Sequence, residues 1–297
     1  MDALILDLLD KMETGELQSF NNMTVLPFFY RNGNKLDYLT LDNALKQNLI
    51  EIKEVTEGGS VPELFVENKS DKRVLLLDGE ELIGAKQNRI LNATILLEKM
   101  TKTTIPVSCV EQNRWSYKER HFSSSEFSMP RSSRSMKMSS VSFNLKASAK
   151  FRADQGEVWE EVERISSESK VNSPTRAMND IYEHQKDELE KYLTNFKKLD
   201  GQNGFFVSIN NLPAGMEYIS NEIAFNSLFY KILRGYSMDA ILDNQHHINE
   251  GIKTMLEGFV GEIKKSEDEN FKSVGLGNDH RLESPVFTAS TLIVEDE

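Results

Sequence analysis

Leu64-Phe65-Val66-Glu67-Asn68-Lys69-Ser70-Asp71-Lys72-Arg73-Val74-Leu75-Leu76-Leu77 decides the fold class. Two apolar runs flank a polar connection, Glu67 to Lys72. Such a pattern predicts two strands joined as a hairpin. The strand signals extend outward from it. Residues 23–30 are apolar and hold Pro27, which suits an edge or a bulge. Residues 36–41 and 49–55 alternate, although 41–48 also fits a helical turn. Gly58-Gly59 marks a turn, and residues 90–97 and 103–110 add two strand candidates. Many short strands with polar turns predict an antiparallel, sandwich-like arrangement over residues 20–112.

The rest of the chain reads differently. Leu4, Ile5, Leu8, Leu9 and Met12 fall at helical spacing before Gly15. Residues 114–152 hold nine Lys or Arg against Glu119 and Glu126, and eleven serines fall between 123 and 148. Few apolar residues there can offset ordering entropy, so 113–152 reads as a mobile basic loop, either plain surface or a lid over an anion. Val158, Val162 and Ile165 outline a helix after Gly156. Ser173-Pro174 predicts another, running to about residue 198. A strand at 204–209, a helix at 221–233 ended by Gly235, a helix at 248–263, and closing strands at 271–276 and 285–294 complete the chain. The expected fold is α+β: one domain over 1–297, with the β-rich half packed against a helical half, 153–297.

Composition narrows the function. Thirty-five Lys and Arg against 47 Asp and Glu leave a net charge of −12. That argues against general nucleic-acid binding. No apolar run approaches the roughly 20 residues of a membrane helix. The N-terminus lacks a basic segment before its apolar residues, so no secretory signal is expected. The single cysteine, Cys109, excludes an internal disulfide framework and fits a reducing, cytoplasmic setting. Cys109 lies in an apolar strand and reads as an inert core residue. No phosphate-loop, dinucleotide or nucleophile-elbow motif is present. No His pair at metal-binding spacing occurs, and His246-His247 cannot share a helix face, so neither a metal nor a cofactor is expected.

The densest polar stretch is Asp78-Gly79-Glu80-Glu81-Leu82-Ile83-Gly84-Ala85-Lys86-Gln87-Asn88-Arg89. Adjacent carboxylates on a strand point to opposite faces, so only one of Glu80 and Glu81 is expected to face a site. Lys86 and Arg89 suit a phosphate, while Gln87 and Asn88 offer donors and acceptors to a base or ribose. Glu111 ends a later strand and is followed by Arg114-Trp115 and Tyr117, and an aromatic beside Arg can stack on a planar ring. Gly275-Leu276-Gly277-Asn278-Asp279-His280-Arg281 adds a glycine-rich loop with Asp279 and Arg281 as ligand-binding candidates. The competing reading is a set of surface ion pairs and ordinary turns.

Together, the 78–89 stretch, Ile105-Pro106-Val107-Ser108-Cys109-Val110-Glu111 with Arg114-Trp115, and Asp154-Gln155-Gly156-Glu157-Val158-Trp159 resemble one family. It is the domain family associated with ADP-ribosylglycohydrolases and rhodanese-phosphatases. The resemblance runs from about residue 20 onward and brings no assigned catalytic residues. It implies a role near NAD- or ADP-ribose-type metabolites, in prokaryotic or viral conflict systems. The expected partner is a nucleotide-derived small molecule. A catalytic version would be a hydrolase using Glu80, Glu81 or Glu111 as base or oxocarbenium stabiliser. Hydrolysis and sequestration both stay open. The alternative is a non-catalytic protein that self-associates as a homo-oligomer or binds a protein partner.

Overall fold

In the computed structural model, which describes residues 1–33, 36–243, 245 and 251–295, the opening stretch does not close as a hairpin. Glu63–Asn68 pairs antiparallel with Lys102–Cys109 and with Ile50–Glu54. Arg73–Leu76 instead joins a second sheet, between Ile95–Leu97 and Tyr38–Thr40, and its pairing with the latter is parallel. The corner between the two sheets is held by side chains. Asn68 Nδ2 donates to the carbonyls of Lys72 and Glu98, each at 2.9 Å, and Ser70 Oγ donates to Lys72 O at 2.8 Å. These bonds replace the ladder that a hairpin would have formed.

The larger sheet has six strands, ordered Phe122–Ser128, Glu80–Gly84, Arg89–Leu91, Lys102–Cys109, Glu63–Asn68, Ile50–Glu54. It curls until its first and last strands approach one another. Leu64, Val66, Leu76, Leu91, Ile95 and Ile105 fill the space between the two sheets with other fully buried apolar side chains. A third sheet takes Met23–Phe29 from the N-terminal half and Gly204–Ile209 and Leu212–Tyr218 from the C-terminal half. Pro27 sits inside this sheet, opposite Phe205. Three closing strands, Glu267–Lys272, Asn278–Ser284 and Phe287–Ile293, form a fourth.

Eight helices occur among the described residues: α1 Ala3–Lys11, α2 Leu41–Lys46, α3 Arg131–Ser148, α4 Gln155–Glu168, α5 Met178–His184, α6 Lys186–Asn195, α7 Glu222–Leu242 and α8 Ile252–Lys265. Expectation and structure differ most over 113–152. In place of a loop, this segment contains the strand Phe122–Ser128 and the 18-residue helix α3. Met138, Val141 and Leu145 bury one stripe of α3, and its cations meet acids on other elements. The helix read from Ser173 is also modified. Ser173 Oγ accepts from Ala177 N at 2.8 Å, α5 starts only at Met178, and a break at Gln185 separates α6. α7 continues through Gly235 to Leu242, because the glycine lets the helix lie against Ser128 and Met129. His246-His247 and the start of the 248–263 reading fall outside the described residues. No described helix is long and apolar enough to cross a membrane.

Candidate functional site

A tight turn with Gly79 at φ 85° leads into Glu80–Gly84. Glycine adopts that conformation without steric cost. Strand alternation then separates the two carboxylates. Glu80 meets Lys231 Nζ at 2.7 Å, and the same ammonium meets Asp42 at 2.8 Å and Ser124 Oγ at 2.7 Å. The second Glu80 oxygen accepts from Leu77 N at 2.7 Å. This carboxylate is fully used in holding α7 against the sheet. Glu81 is fully buried, and neither of its oxygens completes a hydrogen bond among the described residues. Burial, and then the Glu111 charge, push its pKa well above the usual carboxylate range, which favours the protonated form.

Glu111 is buried too, and burial alone would raise its pKa. Arg114 at 2.6 Å, the Asn88 N–H at 3.1 Å and the Thr175 hydroxyl at 2.9 Å outweigh that cost and hold it below the ordinary value. Arg114 Nη1 and Nη2 also donate to Ala85 O, Gly84 O, Ser116 O and Asn88 Oδ1, while Nε has no partner among the described residues. Gln87 Nε2 donates to the Glu111 carbonyl, and Gln87 Oε1 accepts from Arg89 Nη1 at 3.0 Å. Gln87, Asn88, Glu111 and Arg114 therefore form a network bonded mainly to itself.

Arg89 opens this network toward another surface. Its guanidinium is fully buried, with Nη2 3.7 Å from Glu54 Oε1. That is ion-pair distance but too long for a hydrogen bond. Both Glu54 oxygens and Arg89 Nε and Nη2 lack hydrogen-bond partners among the described residues. The Trp115 ring lies over the pair, its centroid 5.4 Å from Arg89 Cζ. Lys86 Nζ stands 5.6 Å from the Trp115 centroid and 5.2 Å from that of Tyr117, and donates to Gly58 O at 2.8 Å. Both rings are 47% exposed. Gly59, at φ 81°, packs so closely that an added Cβ would lie 3.0 Å from Trp115 and 3.4 Å from Glu54. The Gly58-Gly59 turn thus forms one wall of the aromatic site. Cys109, paired in register with Arg89, is fully buried, and burial pushes its thiol up to about 11. It is no thiolate nucleophile at neutral pH.

Among the sequence candidates, Lys86, Arg89 and Trp115 thus come together around Glu54. Asp279 and Arg281 belong to a second cluster. Arg281 pairs with Asp279, and its charge acts on Lys137, which is bonded to Asp78. Glu54 was not singled out in the sequence, Gly58-Gly59 was read only as a turn, and Tyr117 was noted beside Trp115 but not as a ligand-binding residue. The alternation of 49–55 was visible, but Glu54 there looks like any outward-facing polar residue. A cavity of about 320 Å³ lies by Asp78, Arg131 and Arg134, and Glu80, Glu81 and Glu111 are not among its described lining.

The fold and this arrangement define an α+β protein with interleaved halves and an aromatic-capped carboxylate–guanidinium pair. The profile of the ARG and Rhodanese-Phosphatase-superfamily-associated Protein domain matches residues 11–297, and the chain belongs to that family. Searches of curated proteins and of solved structures gave no match.

Proposed function

We propose that the chain binds an NAD- or ADP-ribose-type metabolite at the face formed by Trp115, Tyr117, Lys86, Arg89 and Glu54. The carrying observation is the buried Glu54–Arg89 pair with unmet acceptors and donors beneath a half-exposed indole. Buried polar groups are ordinarily hydrogen-bonded, so the pair calls for a further partner. A nucleobase edge or carboxamide offers adjacent donor and acceptor groups of that complementarity. Exposed Trp and Tyr rings supply stacking, worth roughly 1–3 kcal/mol per base. Lys86 supplies the cation for a phosphate. The family's association with ADP-ribosylglycohydrolases supports the same ligand class. Sequestration fits better than hydrolysis, because Glu80 and Glu111 are committed to cations and burial pushes Glu81 toward its neutral form.

The test uses the full chain with Trp159→Phe, which leaves Trp115 as the only indole. ADP-ribose, NAD and AMP are titrated against Trp115 fluorescence. A saturable change is expected with at least one of them, about tenfold or more weaker in Glu54→Gln and Lys86→Ala at unchanged melting temperature. No saturable change with any of the three, up to millimolar concentration, removes this reading.

A further inference from the structure

We infer that the cavity between α1, α3, α8 and the closing strands is a second ligand site, which takes a single-chain amphipathic anion. Its volume is about 320 Å³. It is partly open to solvent, so it is a cleft that a ligand can enter and not a sealed packing void. Ile5, Leu9, Phe259, Ile263, Leu282 and Ile293 supply apolar wall. An aliphatic cavity of about 150 Å³ stays dry and holds a benzene ring. Twice that volume suits a chain of about eight to ten carbons by the same scaling. Leu4, 54% exposed, also lines the cavity and marks its rim.

Charged groups line the same cavity. Arg134 is paired with Glu217, which also accepts from Tyr236 OH at 2.8 Å. Asp78 is paired with Lys137, and its Oδ2 has no partner among the described residues. Arg131 is the exception. It is 8% exposed, donates only to the Thr288 carbonyl at 3.4 Å, and has no carboxylate within 4.0 Å among the described residues. Asp239, at the same end of α3, is engaged by the N–H and hydroxyl of Ser132 at 2.9 and 2.6 Å. Among the lining charges, Arg131 and Arg134 match Asp78 and Glu217 in number, but Arg131 has no ion pair within 4.0 Å among the described residues and interacts with the Asp239 charge only at longer range. A buried cation without a counter-ion is costly, and an anionic head group would relieve that cost. Arginine matches carboxylate and phosphate equally well in geometry. The head group is therefore either of these, with the aliphatic chain against the leucine and isoleucine wall.

This site is separate from the Trp115 face, so each can fail without the other. The experiment titrates decanoate and decyl phosphate, below their micellar concentrations, into the full chain by calorimetry, with decanol as the neutral control. Expected is one-to-one binding of at least one anion, tenfold or more weaker in Arg131→Met and partly restored in Arg131→Lys. Decanol should bind the parent and Arg131→Met alike. Ala289→Phe, which fills the cavity from a closing strand, should abolish binding of all three while the Trp115 fluorescence response to ADP-ribose is unchanged. The tighter of the two anions identifies the head group. If Arg131→Met does not fold, Ala289→Phe decides alone. The inference is overturned if neither anion binds saturably, if binding survives Ala289→Phe in a folded protein, or if Arg131→Met weakens decanol as much as the anions.

Discussion

Two adjacent glutamates with opposite fates show what a single residue contributes here. Glu80 is paired with Lys231, whereas Glu81 is buried beside Glu111 with no cation of its own. The Glu81 pKa is higher in the folded chain than in the unfolded one. Between those two values the folded state binds the extra proton, so stability falls as pH rises from about 4.5 upward through the folded value. Glutamine reproduces the protonated carboxyl and cannot ionise. Glu81→Gln should therefore melt close to the parent near pH 4 and progressively higher than the parent as pH rises through neutrality. Thermal melts at half-unit pH intervals check this, and equal melting temperatures at pH 8 would falsify it. The separation of the two side chains was legible in the sequence, since it needs only the two-residue period of a strand. Which one is engaged was not, because the deciding cation lies 151 residues further on.

At the level of elements, glycines in helices separate two physical roles. Gly235 lies within α7, and a Cβ there would come 2.8 Å from Met129 O and 3.0 Å from Ser128 Oγ. Gly258 and Gly261 lie within α8, and a Cβ at either meets nothing within 4 Å. Alanine at 235 must push helix and strand apart, an overpacking cost of about 1–3 kcal/mol. Alanine at 258 or 261 removes only the conformational freedom of glycine and should stabilise by up to about 1 kcal/mol each. Chemical denaturation of the three variants checks the contrast, and a neutral Gly235→Ala would show that α7 is not tightly seated. Sequence reading took Gly235 as a helix stop, because the local signal for a stop and for a close approach is the same residue. α3 was hidden for a related reason. Serine is a weak helix former, yet Arg131, Arg134 and Lys137 recur every three residues, and so do Met138 and Val141. That spacing was the available signal, and the density of serine and positive charge outweighed it.

For the whole molecule, the decisive feature is that most of the core draws on both halves of the chain, although the cluster between the first two sheets comes from residues 41–122. Met23–Phe29 lies within a sheet completed by Gly204–Ile209 and Leu212–Tyr218. Tyr30 and Asn203, 173 residues apart, exchange backbone-to-side-chain hydrogen bonds at 2.9 and 2.8 Å. Asn22 donates to Ala240 O at 2.9 Å and accepts from Tyr192 OH at 2.7 Å. Glu111 also bridges in β fashion to Ala177. The α+β class was readable from local patterns, since periodicity reports an element's buried face. The interleaving was not, because no local pattern names a strand's partner. Fragments 1–152 and 153–297 are each expected to expose the apolar face that the other covers, including Met23, Val25, Phe205 and Val207. Each alone should show no cooperative melt and should bind a dye for exposed apolar surface. Mixed from denaturant, the two should recover one cooperative transition, slowly, because pairings between distant segments carry a large loop-closure cost in the intact chain and a bimolecular one here. Calorimetry of the fragments and the mixture is the measurement. A cooperative melt by 1–152 alone would mean that the β-rich half is an independent domain and that the shared sheet is a docking contact rather than the core.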